Sequence, residues 1–187
     1  MKKAAVIFAN GCEEGEALTI VYIFRRAELT CDMIGLDQKE ITGAHGITMR
    51  TDKVLSDELK EYDMVILPGG YGGSDAMANN ELLLECIRDM NAGGKYVAAM
   101  CAAPIALDAA GILEGRTFTC YPSTAEKIHH GTRVNDKVAV DGNLITSQGP
   151  ATAYAFAYKL VDALGGDSLT VKKRMVYFNA FDVKEDE

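Results

Sequence analysis

A cysteine between an apolar run and a helical pattern is the first residue of this sequence that could do chemistry. Cys101 stands in AAMCAAP, residues 98–104, directly after a run that predicts a buried strand. A strand–residue–helix turn with small flanking residues projects one side chain above a sheet, as in nucleophile elbows. A helix that begins at Ala102 and Ala103, with Pro104 in its first turn, points its positive end at the sulfur and predicts a lowered thiol pKa. Cys101 is therefore a candidate nucleophile, with a buried structural cysteine as the alternative.

Acidic residues follow the first predicted strand, at the same edge of the sheet. Glu13, Glu14 and Glu16 stand in NGCEEGEA. Glu16 falls in the first helical turn and is the natural proton-transfer partner of a thiol, although Glu13 and Glu14 compete for that role. The alternative for at least two of the three is a solvated acid that stabilises the helix N-terminus.

A glycine-rich loop, PGGYGGS at residues 68–74, follows another predicted strand. It lacks the GK[ST] ending of a P-loop, and it does not fit GxGxxG because residue 75 is Asp. Its backbone N–H groups could instead stabilise a substrate oxygen, as in an oxyanion hole. On glycine content alone, a tight turn is the preferred interpretation.

The elements that must position these loops alternate between strand and helix. Short apolar runs without a polar face indicate a parallel sheet covered by helices on both faces, and hence one doubly wound α/β domain over residues 1–187. The sequence does not predict the strand order. Strands are predicted at 3–9, 31–36, 63–67, 95–100 and 116–120, short β pieces within 40–55, a hairpin over 138–148, and helices at 10–28, 80–91, 103–110 and 149–166.

Composition narrows the function classes. The chain has 187 residues, is 48% hydrophobic and 25% charged, and has no apolar stretch near the roughly 20 residues of a membrane helix. The apolar run at the N-terminus is too short for a signal peptide. A net charge of −8, with an acidic tail at about 182–187, argues against nucleic acid and membranes as partners. The five cysteines form no CxxC pair, which favours reduced thiols in the cytoplasm over a zinc site or disulfides.

Four segments together resemble the ThiJ/PfpI superfamily, in the branch of the Parkinsonism-associated protein deglycase and its bacterial relatives. They lie in the family's order and spacing, and the resemblance covers essentially the whole chain. It implies a flavodoxin-like, class I glutamine amidotransferase-like fold and a homodimer, and we expect no cofactor and no metal. The segments are GCEEGEA at 11–17, YDMVILPGG at 62–70, VAAMCAAP at 97–104 and ITSQGPATA at 145–153.

The resemblance also assigns roles to individual residues. It implies that Cys101 is the reactive cysteine and that Glu16 is the carboxylic acid that hydrogen-bonds its sulfur. To donate to a thiolate the acid must be protonated, so its pKa is expected to be raised while that of the thiol is lowered. The backbone N–H groups of Gly70 and Ala102 fall on the oxyanion-hole donors, which favours a functional Gly70 over a plain turn.

Two residues depart from the family pattern. Many members of this branch have a histidine where this chain has Tyr121, and tyrosine, with a pKa of about 10, is a poor general base near pH 7. His45 stands where some relatives carry an arginine that reaches the neighbouring subunit's site. It could supply a cation or a proton shuttle across a dimer interface, and a turn histidine without a role is an equal alternative.

The remaining residues select among the activities of the superfamily. The protease branch places His directly after the nucleophilic Cys, where this chain has Ala102, and the amidotransferases frame their Cys with glycines. We therefore predict a glutathione-independent glyoxalase or protein deglycase whose small-molecule carbonyl substrates are dicarbonyls or glycated adducts. The alternative is a non-catalytic redox sensor or oxidative-stress chaperone that uses oxidation of Cys101, with Cys12 as a weaker candidate for a resolving thiol. Nothing in the residues supports a thiazole pocket of thiamine metabolism.

Overall fold

Seven strands form one central sheet in the computed structural model, which describes residues 2–181 and Lys184. Every neighbouring pair of strands is parallel except the antiparallel pair at one edge, the predicted hairpin. Across the sheet the order is β10 (Val138–Asp141), β11 (Leu144–Ser147), β7 (Tyr96–Met100), β6 (Met64–Leu67), β1 (Lys3–Phe8), β2 (Thr30–Gly35) and β5 (Lys53–Val54). Two small sheets pair β3 (Glu40–Thr42) with β4 (Thr48–Arg50) and β8 (Thr117–Phe118) with β9 (Thr132–Arg133).

Helices cover both faces of this sheet, as the uninterrupted apolar strands predict. One face packs against α1 and α5, and the other against α3 and α4. None of the helices in the described part of the chain is long and apolar enough to cross a bilayer. The helices are α1 (Glu14–Arg26), α2 (Tyr71–Ala78), α3 (Glu81–Ala92), α4 (Pro104–Ala109), α5 (Ala153–Ala163), α6 (Ser168–Arg174) and α7 (Tyr177–Phe181), with 3-10 turns at Asp57–Glu61, Pro122–Lys127 and Pro150–Thr152.

The first strand shows why the apolar pattern has no polar face. Successive side chains of a strand point to opposite faces of the sheet. Ala4, Val6 and Phe8 therefore enter one core, Ala5 and Ile7 enter the other, and all five are fully buried. A strand that is buried on both faces cannot alternate with polar residues, and this confirms the predicted doubly wound α/β fold.

Three regions differ from the prediction. The glycine-rich loop continues as α2 directly after Gly70, because its small residues let the helix lie against the first loop: a Cβ on Gly73 would be 2.8 Å from Cys12 Cα. The strand predicted at 116–120 is shortened to β8. Helices α6 and α7 were not predicted, and the expected acidic tail at 182–187 lies outside the described residues apart from Lys184.

Candidate active site

Three neighbouring strands place the predicted site residues at one edge of the sheet. Strand β6 lies between β1 and β7, so the loops that follow their carboxyl ends meet in space. The first two loops are tied together by the Glu13 N–H, which donates to the Gly69 carbonyl at 2.9 Å. The third loop carries Cys101. Strand order, which the sequence did not predict, thus brings the motifs together.

Cys101 lies at the turn from β7 to α4. Its φ of 60° puts it in the left-handed region, which a non-glycine residue seldom adopts. Two hydrogen bonds hold this backbone: the Cys101 N–H donates to the Ser147 carbonyl at 3.0 Å, and the Tyr121 N–H donates to the Cys101 carbonyl at 2.8 Å. The side chain is 9% exposed and faces a cavity, which is the placement expected of a nucleophile elbow.

Glu16 lies beside this cysteine. The side chain is fully buried in the first turn of α1, where its Oε2 accepts a hydrogen bond from the Gly69 N–H at 2.6 Å. A Cβ built on Gly69 would lie 2.7 Å from Glu16 Oε2 and 2.9 Å from Cys101 Sγ, so only a glycine fits between the two side chains. Glu16 Oε1 is buried without a well-aligned hydrogen-bond partner, yet Cys101 is close enough for each side chain to shift the pKa of the other.

Burial dominates the ionisation of this pair. It raises the pKa of the Glu16 carboxyl to about 7, against the lowering effect of the Gly69 N–H and the Cys101 thiol. Burial and then the charge of Glu16 raise the pKa of the Cys101 thiol to about 12. The raised pKa of Glu16 agrees with expectation, but the predicted lowering of the thiol pKa is wrong. The positive end of the short helix α4 is outweighed by desolvation and by the neighbouring carboxylate.

The expected oxyanion donors lie against the same sulfur. The backbone N–H groups of Gly70 and Ala102 both favour the Cys101 thiolate and lower its pKa, although by less than burial raises it. Gly70 has a φ of 86°, and a Cβ there would lie 2.5 Å from the Glu13 nitrogen. Gly70 is thus required both by its backbone conformation and by the close approach of the first loop.

The structure separates the three acids of the first loop. Glu14 is 2% exposed, and its Oε1 accepts from the N–H groups of His45 at 2.7 Å and Ile47 at 3.3 Å, while its Oε2 lies 2.9 Å from His45 Nδ1. This contact raises the pKa of His45. Burial raises the pKa of Glu14, but the hydrogen bonds from His45 and the backbone together outweigh it and leave that pKa lowered. Glu14 therefore fastens the β3–β4 turn to α1, which leaves Glu16 as the acid beside Cys101.

Glu13, Glu14 and His45 also form a group that could hold a metal ion. Each offers a ligand atom, and these atoms lie within 4.8 Å of one another. The oxygens of Glu14 are already used as acceptors from the β3–β4 turn, so the group is explained by its role in holding that turn. The expectation of no metal at the site stays a prediction.

A cavity of about 320 Å³ opens above Cys101. His45, predicted either to act across a dimer interface or to have no role, lies on the wall of its own chain's cavity. Tyr121 is also on the wall. Tyr71 lines the cavity too, although the sequence does not predict it as a site residue because it stands in a segment interpreted as a glycine turn. An aromatic residue in a loop that follows a strand could have indicated a binding role. The cavity is lined by Glu13, Ala44, His45, Gly70, Tyr71, Cys101, Ala102, Tyr121 and Pro150.

Comparison with known proteins identifies the family. The model of the DJ-1/PfpI family matches residues 2–163. This chain belongs to the DJ-1/PfpI family. Among its curated relatives, protein dj-1beta of Drosophila melanogaster is 39% identical to this chain over 169 residues, which are 88% of this chain and 90% of the relative. The Parkinson disease protein 7 homolog of Danio rerio is 36% identical over 171 residues, again 88% and 90% of the two chains.

Solved structures of the DJ-1/PfpI family share the fold described above. The crystal structure of Drosophila melanogaster DJ-1beta has a TM-score of 0.89 and 37% identity, and the match covers 94% of this chain and 98% of that one. A DJ-1 superfamily protein of Salmonella typhimurium has a TM-score of 0.88 and 31% identity, with 95% and 98% covered. The resemblance stated from the four sequence segments is thereby confirmed for family and fold.

Proposed function

We propose that this protein converts small dicarbonyl compounds such as methylglyoxal to hydroxy acids without glutathione, and hydrolyses glycated adducts at the same site. The observation that carries the proposal is the buried pair of Cys101 and Glu16 below a cavity. A carboxyl with a pKa of about 7 can both accept and return a proton near neutral pH. A thiol next to such a base can be activated at the moment of attack.

The first step is addition of the thiol to the aldehyde. The Cys101 sulfur forms a bond to the aldehyde carbon, the C=O electron pair moves onto oxygen, and the Glu16 carboxylate accepts the thiol proton. Because Glu16 takes the proton during attack, the raised thiol pKa does not prevent the reaction. The N–H groups of Gly70 and Ala102 stabilise the oxyanion, which takes up a proton to give a hemithioacetal.

The second step moves a hydrogen between the two carbons of the former dicarbonyl. A base removes the proton from the carbon bound to sulfur and the neighbouring carbonyl oxygen takes up a proton, which gives an enediol. The adjacent carbon then takes up a proton and becomes an alcohol, while the hydroxyl on the first carbon loses its proton and that carbon becomes a thioester. Glu16, the buried acid beside Cys101, is the residue proposed to carry these protons. Water then cleaves the thioester, releasing the hydroxy acid and the Cys101 thiol. One carbon is oxidised and its neighbour reduced, so no external oxidant is required.

Methylglyoxal kinetics test this proposal. We expect Cys101→Ala to abolish turnover and Glu16→Gln to lower kcat/KM by about 100-fold or more, the usual scale of general acid–base catalysis. Cys86→Ala is the matched control, because Cys86 is a buried thiol on α3 outside the cavity. Unchanged turnover in Cys101→Ala, or none in the wild-type protein, would overturn the proposed activity.

Redox sensing by the same cysteine is a second candidate function. The solved structure of Toxoplasma gondii DJ-1, which has a TM-score of 0.88 and 28% identity to this chain, shows that relative in an oxidized form. Glu16 could donate a hydrogen bond to an oxidised Cys101. The raised thiol pKa does not separate the two functions, because Glu16 can accept the Cys101 proton during attack on peroxide as well as on an aldehyde. A mass gain at Cys101 under mild peroxide together with negligible dicarbonyl turnover would instead support the sensor.

We further propose a homodimer that works in the cytoplasm. All five cysteines are free, which suits a reducing compartment. Leu18 and Tyr22 follow Glu14 at helical spacing on α1 and are exposed. Ile47 is also exposed, and its N–H donates to Glu14 of the same helix, so we propose that these apolar residues form the dimer contact. Light scattering should give the mass of two chains, and Tyr22→Glu should lower it; a monomer at micromolar concentration would contradict the dimer.

A further inference from the structure

Two tyrosine rings form a corner at the mouth of the Cys101 cavity. The Tyr71 and Tyr121 ring centroids are 6.4 Å apart, with the planes at 89°, and the side chains are 53% and 40% exposed. Both rings are partly exposed at the cavity, and aromatic rings attract a further ring in edge-to-face or offset contact. Building on the proposed function, we propose that the preferred substrates are carbonyl compounds with an aromatic or similarly broad apolar substituent, and that Tyr71 and Tyr121 bind that substituent.

Both rings are held in place relative to the reactive sulfur. The backbone of Tyr121 is hydrogen-bonded to the Cys101 carbonyl, and its ring packs on Gly149, where a Cβ would lie 3.4 Å from Tyr121 Cδ2. The Tyr71 hydroxyl lies 2.8 Å from Ser123 Oγ. Tyr71 also follows Gly70 directly, so its position is coupled to an oxyanion donor. Because the two tyrosine side chains are already held in place, binding of a substrate ring would cost little further side-chain conformational entropy.

The size of the cavity exceeds what a small dicarbonyl needs. About 320 Å³ would hold on the order of ten water molecules at roughly 30 Å³ each. Methylglyoxal, with a single methyl substituent, would leave most of that space to water. An aryl group attached to the reacting carbonyl would displace this water from the tyrosine faces and from the apolar wall of Ala44, Ala102 and Pro150.

The charges at the cavity mouth favour an uncharged substituent. His45 Nδ1 lies 3.5 Å from Glu13 Oε1 and 2.9 Å from Glu14 Oε2, so the cationic form of His45 is balanced by the acids next to it. On the other side, the Lys127 ammonium already lies 5.8 Å from the centre of the Tyr71 ring. A cation on the substituent would lie near the Lys127 ammonium, and an anion would lie near the Glu13 carboxylate.

Substrate comparison tests the assignment. The readout is the ratio of kcat/KM for phenylglyoxal to that for methylglyoxal, which cancels effects common to both reactions. We expect the double variant Tyr71→Ala, Tyr121→Ala to lower this ratio by about 10-fold, since an aromatic contact adds to the area buried. Tyr121→Phe should keep it, because the ring rather than the hydroxyl binds. Phe181→Ala is the control, because it removes an exposed aromatic ring on α7 that does not line the cavity.

A second readout does not depend on turnover. Cys101 is alkylated with N-phenyliodoacetamide or iodoacetamide, and the two rates are compared by mass spectrometry, with reduced glutathione as the reference thiol. The wild-type protein should favour the phenyl reagent by about 10-fold over the reference, and the double tyrosine variant should lose this preference. If neither dicarbonyl is turned over, the proposed function fails while this ratio still decides the aromatic corner. A wild-type ratio equal to that of glutathione would overturn the inference.

Discussion

Replacing Glu16 by glutamine should make Cys101 easier to deprotonate. In the folded protein the ionised carboxylate of Glu16 is among the main causes that raise the thiol pKa to about 12. Glutamine keeps the size of the side chain and its carbonyl can still accept from the Gly69 N–H, but it carries no charge. The family pattern predicts the opposite direction, because there a protonated Glu16 stabilises the thiolate. One substitution therefore separates the two descriptions of the pair.

The magnitude follows from the electrostatics of a close pair. A unit charge about 5 Å away, at an effective dielectric constant of ~20, contributes about 3 kcal/mol, or roughly 2 pKa units. Glu16 is fully buried and Cys101 nearly so, which keeps solvent screening small. In Glu16→Gln the thiol should therefore titrate near pH 10, and its alkylation at pH 9 should be up to roughly 100-fold faster than in the wild-type protein.

The assay is the pH dependence of Cys101 alkylation by iodoacetamide, followed by mass spectrometry. Cys101→Ala gives the background from the other buried thiols, and Glu13→Gln makes the same change of charge in the neighbouring loop. A higher apparent pKa and slower alkylation in Glu16→Gln would refute the reasoning. That result would mean that Glu16 holds its proton and donates it to a resting Cys101 thiolate.

Three further results are expected. Burial raises the Glu16 pKa from 4.5 to about 7, so the protonated carboxyl stabilises the fold fully below pH 4.5, and this contribution is lost as the pH rises through 7. The Glu16→Gln variant cannot lose it. Between pH 4 and pH 8 its free energy of unfolding, measured by urea titration, should therefore rise by about 3 kcal/mol relative to that of the wild-type protein. Gly70→Ala should cost about 2–4 kcal/mol, whereas Gly46→Ala, with a similar φ but open space around it, should cost only about 1 kcal/mol. Glu14→Gln should lower the His45 pKa, measured from its ring proton shifts by NMR.

Each of these has a contradicting outcome. Parallel pH–stability curves for Glu16→Gln and the wild-type protein would mean that burial does not raise the Glu16 pKa. Equal losses for Gly70→Ala and Gly46→Ala would mean that the backbone angle alone sets the cost and that the first loop does not press on Gly70. An unchanged titration of His45 in Glu14→Gln would place the β3–β4 turn away from α1.

The loop residues of the site could be predicted from the sequence because their chemistry is local. Cys101 ends an apolar strand and precedes a proline, a pattern that identifies a strand-to-helix turn without a structure. Glu16, rather than its neighbours, was selected by resemblance; the structure supplies the physical reason, since Glu14 is occupied by the β3–β4 turn.

Long-range features could not be predicted in the same way. The lowered thiol pKa was inferred from a helix N-terminus, which is local in the sequence. The burial of Cys101 and the Glu16 charge beside it depend instead on how segments far apart in the chain fold together. Tyr71 lies in a glycine-rich segment whose low helix propensity predicts a loop. The segment is nevertheless helical, because the packing of Gly73 against Cys12 outweighs the local propensity. The strand order depends on pairing that local patterns do not encode.

The left-handed backbone at Cys101 has a consequence for how this chain would respond to selection. A side chain at a φ of 60° costs about 1–2 kcal/mol that glycine would avoid. A laboratory evolution experiment that rewards only heat resistance should therefore enrich glycine or asparagine at position 101, and the surviving variants would lack the thiol. Retention of cysteine at that position under such pressure would require a simultaneous demand for its chemistry.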